Sequence, residues 1–145
     1  MSGFHVVEPE VAGGLGDRTE MDSSTHPPIV KRLHYEFQGW LGDGLVTSFP
    51  CYLVADPLRK AIERSGATGV SFANAEVSAE EQFTEFEPEI ANNLPRFWWL
   101  KVTGVVGKDD FGLLGNADLV VSTRGLNLLQ EHVLENATVR PYENA

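Results

Sequence analysis

The chain has 145 residues, 42% of them apolar, and a formal net charge of −10. Such a length and apolar share fit one compact domain, and the acidic balance argues against direct nucleic-acid binding, because a phosphate backbone is repelled. No apolar run is long enough for a membrane-spanning helix, and the single cysteine, Cys51, leaves neither an internal disulfide nor a cysteine-rich zinc site.

The opening "MSGFHVVEPE" lacks a basic region followed by an apolar run, so no secretory signal is expected and the cytoplasm is the simplest compartment. Residues 1–28 are rich in glycine, acids and turn formers. They predict an extended N-terminal arm, with a short strand near Phe4–Val7 and few packing contacts of its own, ahead of a domain at 29–145. "GGLG" lacks the spacing of a dinucleotide fingerprint, and no helical pattern follows it.

In "RLHYEFQGW", Leu33, Tyr35 and Phe37 alternate with His34 and Glu36, the pattern of a half-buried strand. Phe49–Ala55 is apolar on both faces and predicts an inner strand. Asp56 is then a candidate helix cap, with Pro57 at the first helical position, Leu58, Ala61 and Ile62 on one face, and Gly66 as terminator. "GVSFANAEVS" predicts a returning strand, and "SAEEQFTEFEPEI" suits a short helix capped at Ser78. In "LPRFWWLKVTG", Trp98, Leu100 and Val102 share one strand face and Phe97, Trp99, Lys101 and Thr103 the other. That is either a sheet covered on both faces or a strand presenting Trp99 or Phe97 as an exposed contact. Near the C-terminus come a strand at Leu119–Val121, a cap at Ser122 or Thr123, a helix to about His132, and a strand at Thr138–Pro141. Two strand–cap–helix–strand units thus lie about 66 residues apart, a shared architecture with slight identity. The fold class expected is α+β: a single domain on a mixed β-sheet with two or three helices.

Motifs for chemistry are scarce. Asp110-Phe111-Gly112 matches the metal-binding triplet of protein kinases, but the phosphate loop, strand lysine and catalytic loop that a kinase needs are missing. His5, His26, His34 and His132 have no helical zinc spacing, no G-x-S-x-G occurs, and Cys51 sits in an apolar strand as a small hydrophobe. Asp109 and Asp110 would bind a hard cation only if Asp17 or Asp43 came near. The simpler expectation for "GKDDFGL" is a turn in which Asp109 and Asp110 bond the backbone and Phe111 enters the core. No enzyme, metal or cofactor is expected.

Charge is uneven along the chain. Glu76 to Glu89 contains six glutamates and no lysine or arginine, whereas Arg96 to the end holds six acids and five bases. The run is either a solvated surface or a docking face for a basic partner.

The order "GWLGD", "FPCYLV", "TGVSFANAEVS", "LPRFWWLKVTG", "DDFGL", "LVVSTRGLNLL", from about Leu33 to Tyr142, resembles the bacterial immunity proteins of polymorphic toxin systems, the immunity-11 or DUF1629-type domain. The most specific pieces are Leu94–Pro95 leading into Trp98–Leu100, Asp109–Phe111, and Leu119–Ser122. The resemblance implies a small cytoplasmic protein that binds and neutralises a cognate toxin, with no catalytic residues of its own. Charge and pattern, rather than the resemblance, place the contact at Glu80, Glu81, Glu85, Glu87 and Glu89 as an acidic rim, with Trp99 and Phe97 as aromatic anchors for a basic toxin. Two alternatives remain: an accessory subunit of a larger assembly that docks or oligomerises through the N-terminal arm, and an enzyme or small-ligand sensor with a deep pocket.

Overall fold

The computed structural model describes residues 3–143. Along them run β1 (Phe4–Glu8), β2 (Gly13–Leu15), β3 (Glu20–Asp22), β4 (Ile29–Arg32), β5 (His34–Phe37), β6 (Leu45–Ser48), β7 (Cys51–Ala55), α1 (Asp56–Ser65), β8 (Val70–Asn74), β9 (Glu76–Ala79), α2 (Glu81–Phe86), α3 (Pro88–Ala91), β10 (Phe97–Val102), β11 (Phe111–Leu113), β12 (Leu119–Ser122), α4 (Thr123–Glu131) and β13 (Thr138–Pro141). This is one α+β domain. The single mixed sheet that the sequence suggests is resolved into four: β11-β12-β1-β13, β6-β7-β10-β8, β2-β5-β9, and the hairpin β3-β4.

The two longer helices follow from local chemistry. In α1, Leu58, Ala61 and Ile62 form the buried face, and Gly66 ends the helix at φ 71°, a left-handed conformation that costs glycine no Cβ clash. Asp56 is not its cap: it opens the first turn, and Ala55 is the N-cap residue, with no side-chain cap hydrogen bond among the described residues. In α4, Ser122 is the cap, its hydroxyl accepting from Gly125 N–H at 3.0 Å, and Leu126 and Leu129 are buried.

The sheet β6-β7-β10-β8 is covered on both sides. Tyr52, Val54 and Leu100 feed one core with α1, α4 and the β12 residues Leu119 and Val121. Cys51, Leu53, Ala55, Phe97 and Trp99 feed a second core with Tyr35, Phe37 and Phe83. Alternation along β7 and β10 therefore divides apolar residues between two cores. The segment expected as one strand, "GVSFANAEVS", breaks at Ala75 into β8 and β9, which join different sheets. Ser78 lies in β9 and caps no helix; its hydroxyl is 2.7 Å from His34 Nε2. His34, expected on the polar face of β5, is itself buried. Its Nδ1 accepts from Arg18 N–H, which leaves Nε2 to donate to Ser78.

The largest correction concerns residues 1–28. They do not form an arm with few contacts. β1 is an interior strand, antiparallel to β12 on one side and β13 on the other, with Val6 and Val7 buried. β2 pairs with β5, and β3 with β4. Met1 and Ser2 lie outside the described residues.

With β1 in place, the two large sheets share one topology. In the first, β6 pairs with β7, α1 follows, and β10 lies antiparallel between β7 and the returning β8. In the second, β11 pairs with β12, α4 follows, and β1 lies antiparallel between β12 and the returning β13. The registers coincide: Ala55 faces Phe97 as Ser122 faces Phe4, and Lys101 faces Ser71 as Glu8 faces Thr138. So do the bonds at the helix entrances. Asp56 N–H donates to Arg96 O as Thr123 N–H donates to Gly3 O, each at 2.9 Å. Ala55 N–H donates to Gly44 O as Ser122 N–H donates to Asp110 O, each at 2.8 Å. The units that the sequence spaces about 66 residues apart are thus one design used twice, and the second is closed by the N-terminal strand.

Candidate functional site

In the first unit the link from β8 to β10 carries β9, α2 and α3, and this link holds the glutamate run. Phe83 anchors α2 in the second core. Three residues further on, Phe86 is 77% exposed, and Ile90 is also exposed. With Glu87, Pro88 and Glu89 they line a shallow hollow of about 270 Å³. Glu81, Glu85, Glu87 and Glu89 are exposed and Glu80 is half-buried. Among the described residues none of these five carboxylates takes part in an ion pair. Glu76 is different: Arg18 and Arg32 hold it, and the Arg18 hydrogen bond draws its pKa below the ordinary value. The run thus divides into one neutralised glutamate and five unpaired ones. Glu81 and Glu85 stand one turn apart on α2, where like charges cost about 0.2–0.5 kcal/mol, a repulsion that a cation would relieve.

The aromatic anchors expected from the sequence are not on this surface. Phe97 is 3% exposed and Trp99 9%. Phe97 packs at a tilt against Phe37 and meets Trp40 edge-on, and one face of Trp99 is covered by Lys101, whose Nζ lies 4.8 Å from the ring centroid. Burial on both sides of β10 is the reason, since the second core claims this face of the strand. The exposed apolar groups beside the glutamates are Phe86 and Ile90. Their signal in "EQFTEFEPEI" is a surplus: three large apolar side chains on two short helices, of which only Phe83 reaches the core.

"GKDDFGL" is a structural junction. Asp109 Oδ2 accepts from Val105 N–H at 2.7 Å and closes a turn. Asp110 accepts from Thr68 N–H at 2.9 Å and Ser122 Oγ–H at 2.7 Å, with Arg124 3.5 Å away. Burial pushes its carboxyl up, but these donors and the guanidinium outweigh it and leave the pKa below the ordinary value. Phe111 is fully buried in the first core. Its carbonyl passes so close to Gly69 and Gly104 that a Cβ at either would lie 2.2 or 2.1 Å from it, which accounts for the glycines around the motif. Asp43 is engaged elsewhere, with the backbone of Glu135 and Asn136. Among the described residues no three His, Cys, Asp or Glu side chains form a group suited to a metal.

A second polar cluster sits at the start of α1. Asp56 accepts from Trp98 Nε1–H at 2.8 Å and contacts Arg59 and Lys60. Arg96 and Arg59 lie 3.8 and 4.6 Å from the Trp98 ring centroid. The indole hydrogen bond, then Lys60 and Arg59, hold the Asp56 carboxyl at about 2, below its ordinary 3.8. Because the folded-state value is depressed, its stabilising contribution is complete above about pH 4 and fades as pH falls toward 2. In a carboxyl-carbon NMR titration Asp56 is expected to titrate near 2, and Trp98→Phe to raise that midpoint. A midpoint unchanged by the substitution would assign the depression to the two cations alone.

Burial pushes the Cys51 thiol up to about 12, which makes it a poor nucleophile. Among the described residues no helix is long and apolar enough to cross a membrane. Comparison with protein-family models and with curated proteins finds no match to this chain.

Proposed function

We propose that this is a non-catalytic docking protein that binds a basic partner protein through α2 and α3 and neutralises it by covering its active surface, as a cytoplasmic toxin-immunity protein does. One observation carries this: Phe86 stands 77% exposed on a segment whose five glutamates have no ion-pair partner among the described residues. A large apolar side chain that shares a hollow with Glu87 and Glu89, on a segment of unpaired glutamates, matches the anatomy of an interface, with an aromatic centre and a charged rim that steers association. The position on the chain fits as well. The helices lie in the link between β8 and β10, outside the strands that the two units share.

The accessory-subunit alternative loses its main support, because residues 4–15 are tied into the sheets instead of forming a free arm.

The test is capture from the host with the tagged protein, followed by affinity and toxicity measurements on the purified partner. A basic protein bound one to one and inactivated by binding is expected. Phe86→Ala should weaken the complex about 30-fold, as truncation of a central anchor costs about 2 kcal/mol. Joint reversal of Glu81, Glu85, Glu87 and Glu89 to lysine should slow association by about 10²-fold at low salt. Affinity unchanged by both substitutions would reject the α2–α3 face, and a captured partner that stays active would reject neutralisation.

A further inference from the structure

β7 covers β10 only as far as the pairing of Leu100 with Tyr52. Just before it the chain runs through Pro50, which has no N–H to offer a neighbouring strand. Beyond Leu100 one side of β10 is therefore open, and a cleft of about 240 Å³ lies there. Pro28 and Pro50 contribute to its walls, Tyr52 and Trp99 contribute aromatic surface, and Lys101 and Thr103 add polar groups. Trp99 and Lys101 share one face of β10 at two-residue spacing, and Thr103 follows directly after the strand. Tyr52 Oη–H already donates to Ala117 O at 2.6 Å, so the tyrosine presents its ring and not a free hydroxyl.

Lys101 is the informative group. Acids outnumber bases 21 to 11 in this chain, yet among the described residues Lys101 has no carboxylate within ion-pair distance. It lies over the Trp99 ring, and Thr103, which lines the same cleft, is exposed. The combination is an apolar, aromatic cleft with one uncompensated cation and one hydroxyl at its edge. Proline walls need little ordering on binding. Size limits the occupant: a cavity of about 150 Å³ admits benzene, so this one suits one ring with a short polar substituent, or two fused rings.

We propose that this cleft is a binding site for a small aryl carboxylate. The ring packs beside Trp99 and the prolines at the open edge of β10, and the carboxylate bonds the Lys101 ammonium and the Thr103 hydroxyl. The site is independent of the α2–α3 docking face and shares no residue with it.

The experiment is an amide and indole NMR titration of the full-length protein with phenylacetate, alongside its uncharged analogue phenylacetamide. Saturable shifts at the Trp99 indole and the Lys101 and Thr103 amides are expected with phenylacetate, with a Kd on the order of 1 mM for so small a ligand. Phenylacetamide should bind at least about tenfold more weakly. Lys101→Met keeps the stem of an exposed side chain and removes its charge. It should weaken phenylacetate about tenfold while leaving the rest of the spectrum in place. The proposal is overturned by an absence of saturable shifts in the cleft up to about 20 mM, by shifts confined to other residues, by equal binding of acid and amide, or by a Lys101→Met protein that binds phenylacetate as well as the original.

Discussion

Deleting residues 1–8 is expected to abolish cooperative unfolding, because it removes an interior strand. Val6 and Val7 are 3% and 1% exposed, and burying two valines contributes about 3–6 kcal/mol. β1 also pairs with both neighbours along its length, and among the described residues β13 has no other partner strand. Each lost backbone bond costs about 0.5–1.5 kcal/mol. The sum is on the order of 10 kcal/mol, comparable to the whole stability of an ordinary domain. A circular permutant separates the strand from its position in the chain. Tyr142 N–H donates to Phe4 O at 2.9 Å, so the ends of β13 and β1 are adjacent. A loop of roughly two to four residues from residue 143 to residue 3 would make β13–β1 a hairpin. New termini at Asn92 and Asn93, both exposed, fall in the link that corresponds to the natural break. Thermal unfolding followed by circular dichroism should show a cooperative transition for the permutant and none for the deletion. A deletion variant that melts like the parent would mean that β1 is dispensable, as the sequence suggests.

That strand also shows where sequence patterning stops. The unit at Leu119–Glu131 is legible because its determinants are local: an apolar strand, a serine at the cap, and leucines at helical spacing. β1 also carries adjacent buried valines, but its partners lie more than 110 residues away, and no local rule connects Phe4 to Ser122. The exposure of Glu81 to Glu89 is legible from charge alone. The direction of Trp99 is not, since a strand with aromatics on both faces is equally compatible with one open face. The covering by β5 and Phe83 decides it. Phe86 is hard to recognise for a related reason, because a phenylalanine in an amphipathic segment ordinarily packs inward, and here Pro88 ends that segment before a second turn can form.

Asp43→Ala is expected to be the most damaging single polar substitution. Its carboxylate is fully buried and accepts three hydrogen bonds: from Glu135 N–H at 3.0 Å, Asn136 N–H at 2.8 Å and Asn136 Nδ2–H at 2.9 Å. These hold the turn between α4 and β13, where Val133 has φ 64°. That conformation is strained for a β-branched residue and costs about 1–3 kcal/mol. The Gly44 N–H bond to Val133 O, 3.0 Å, fixes the turn from the same loop that bears Asp43. Without the carboxylate three donors lose a charged acceptor, at about 1–3 kcal/mol each before water compensates. A net loss of about 3 kcal/mol, or roughly 10 °C in Tm, follows. Asp43→Asn keeps one acceptor oxygen and places an amide donor against other donors, so it should fall between the two. Val133→Gly should move the other way, by up to about 1 kcal/mol, because glycine adopts the left-handed conformation without a clash. A Tm drop below about 3 °C for Asp43→Ala would mean that water replaces the carboxylate and that the turn stands without it.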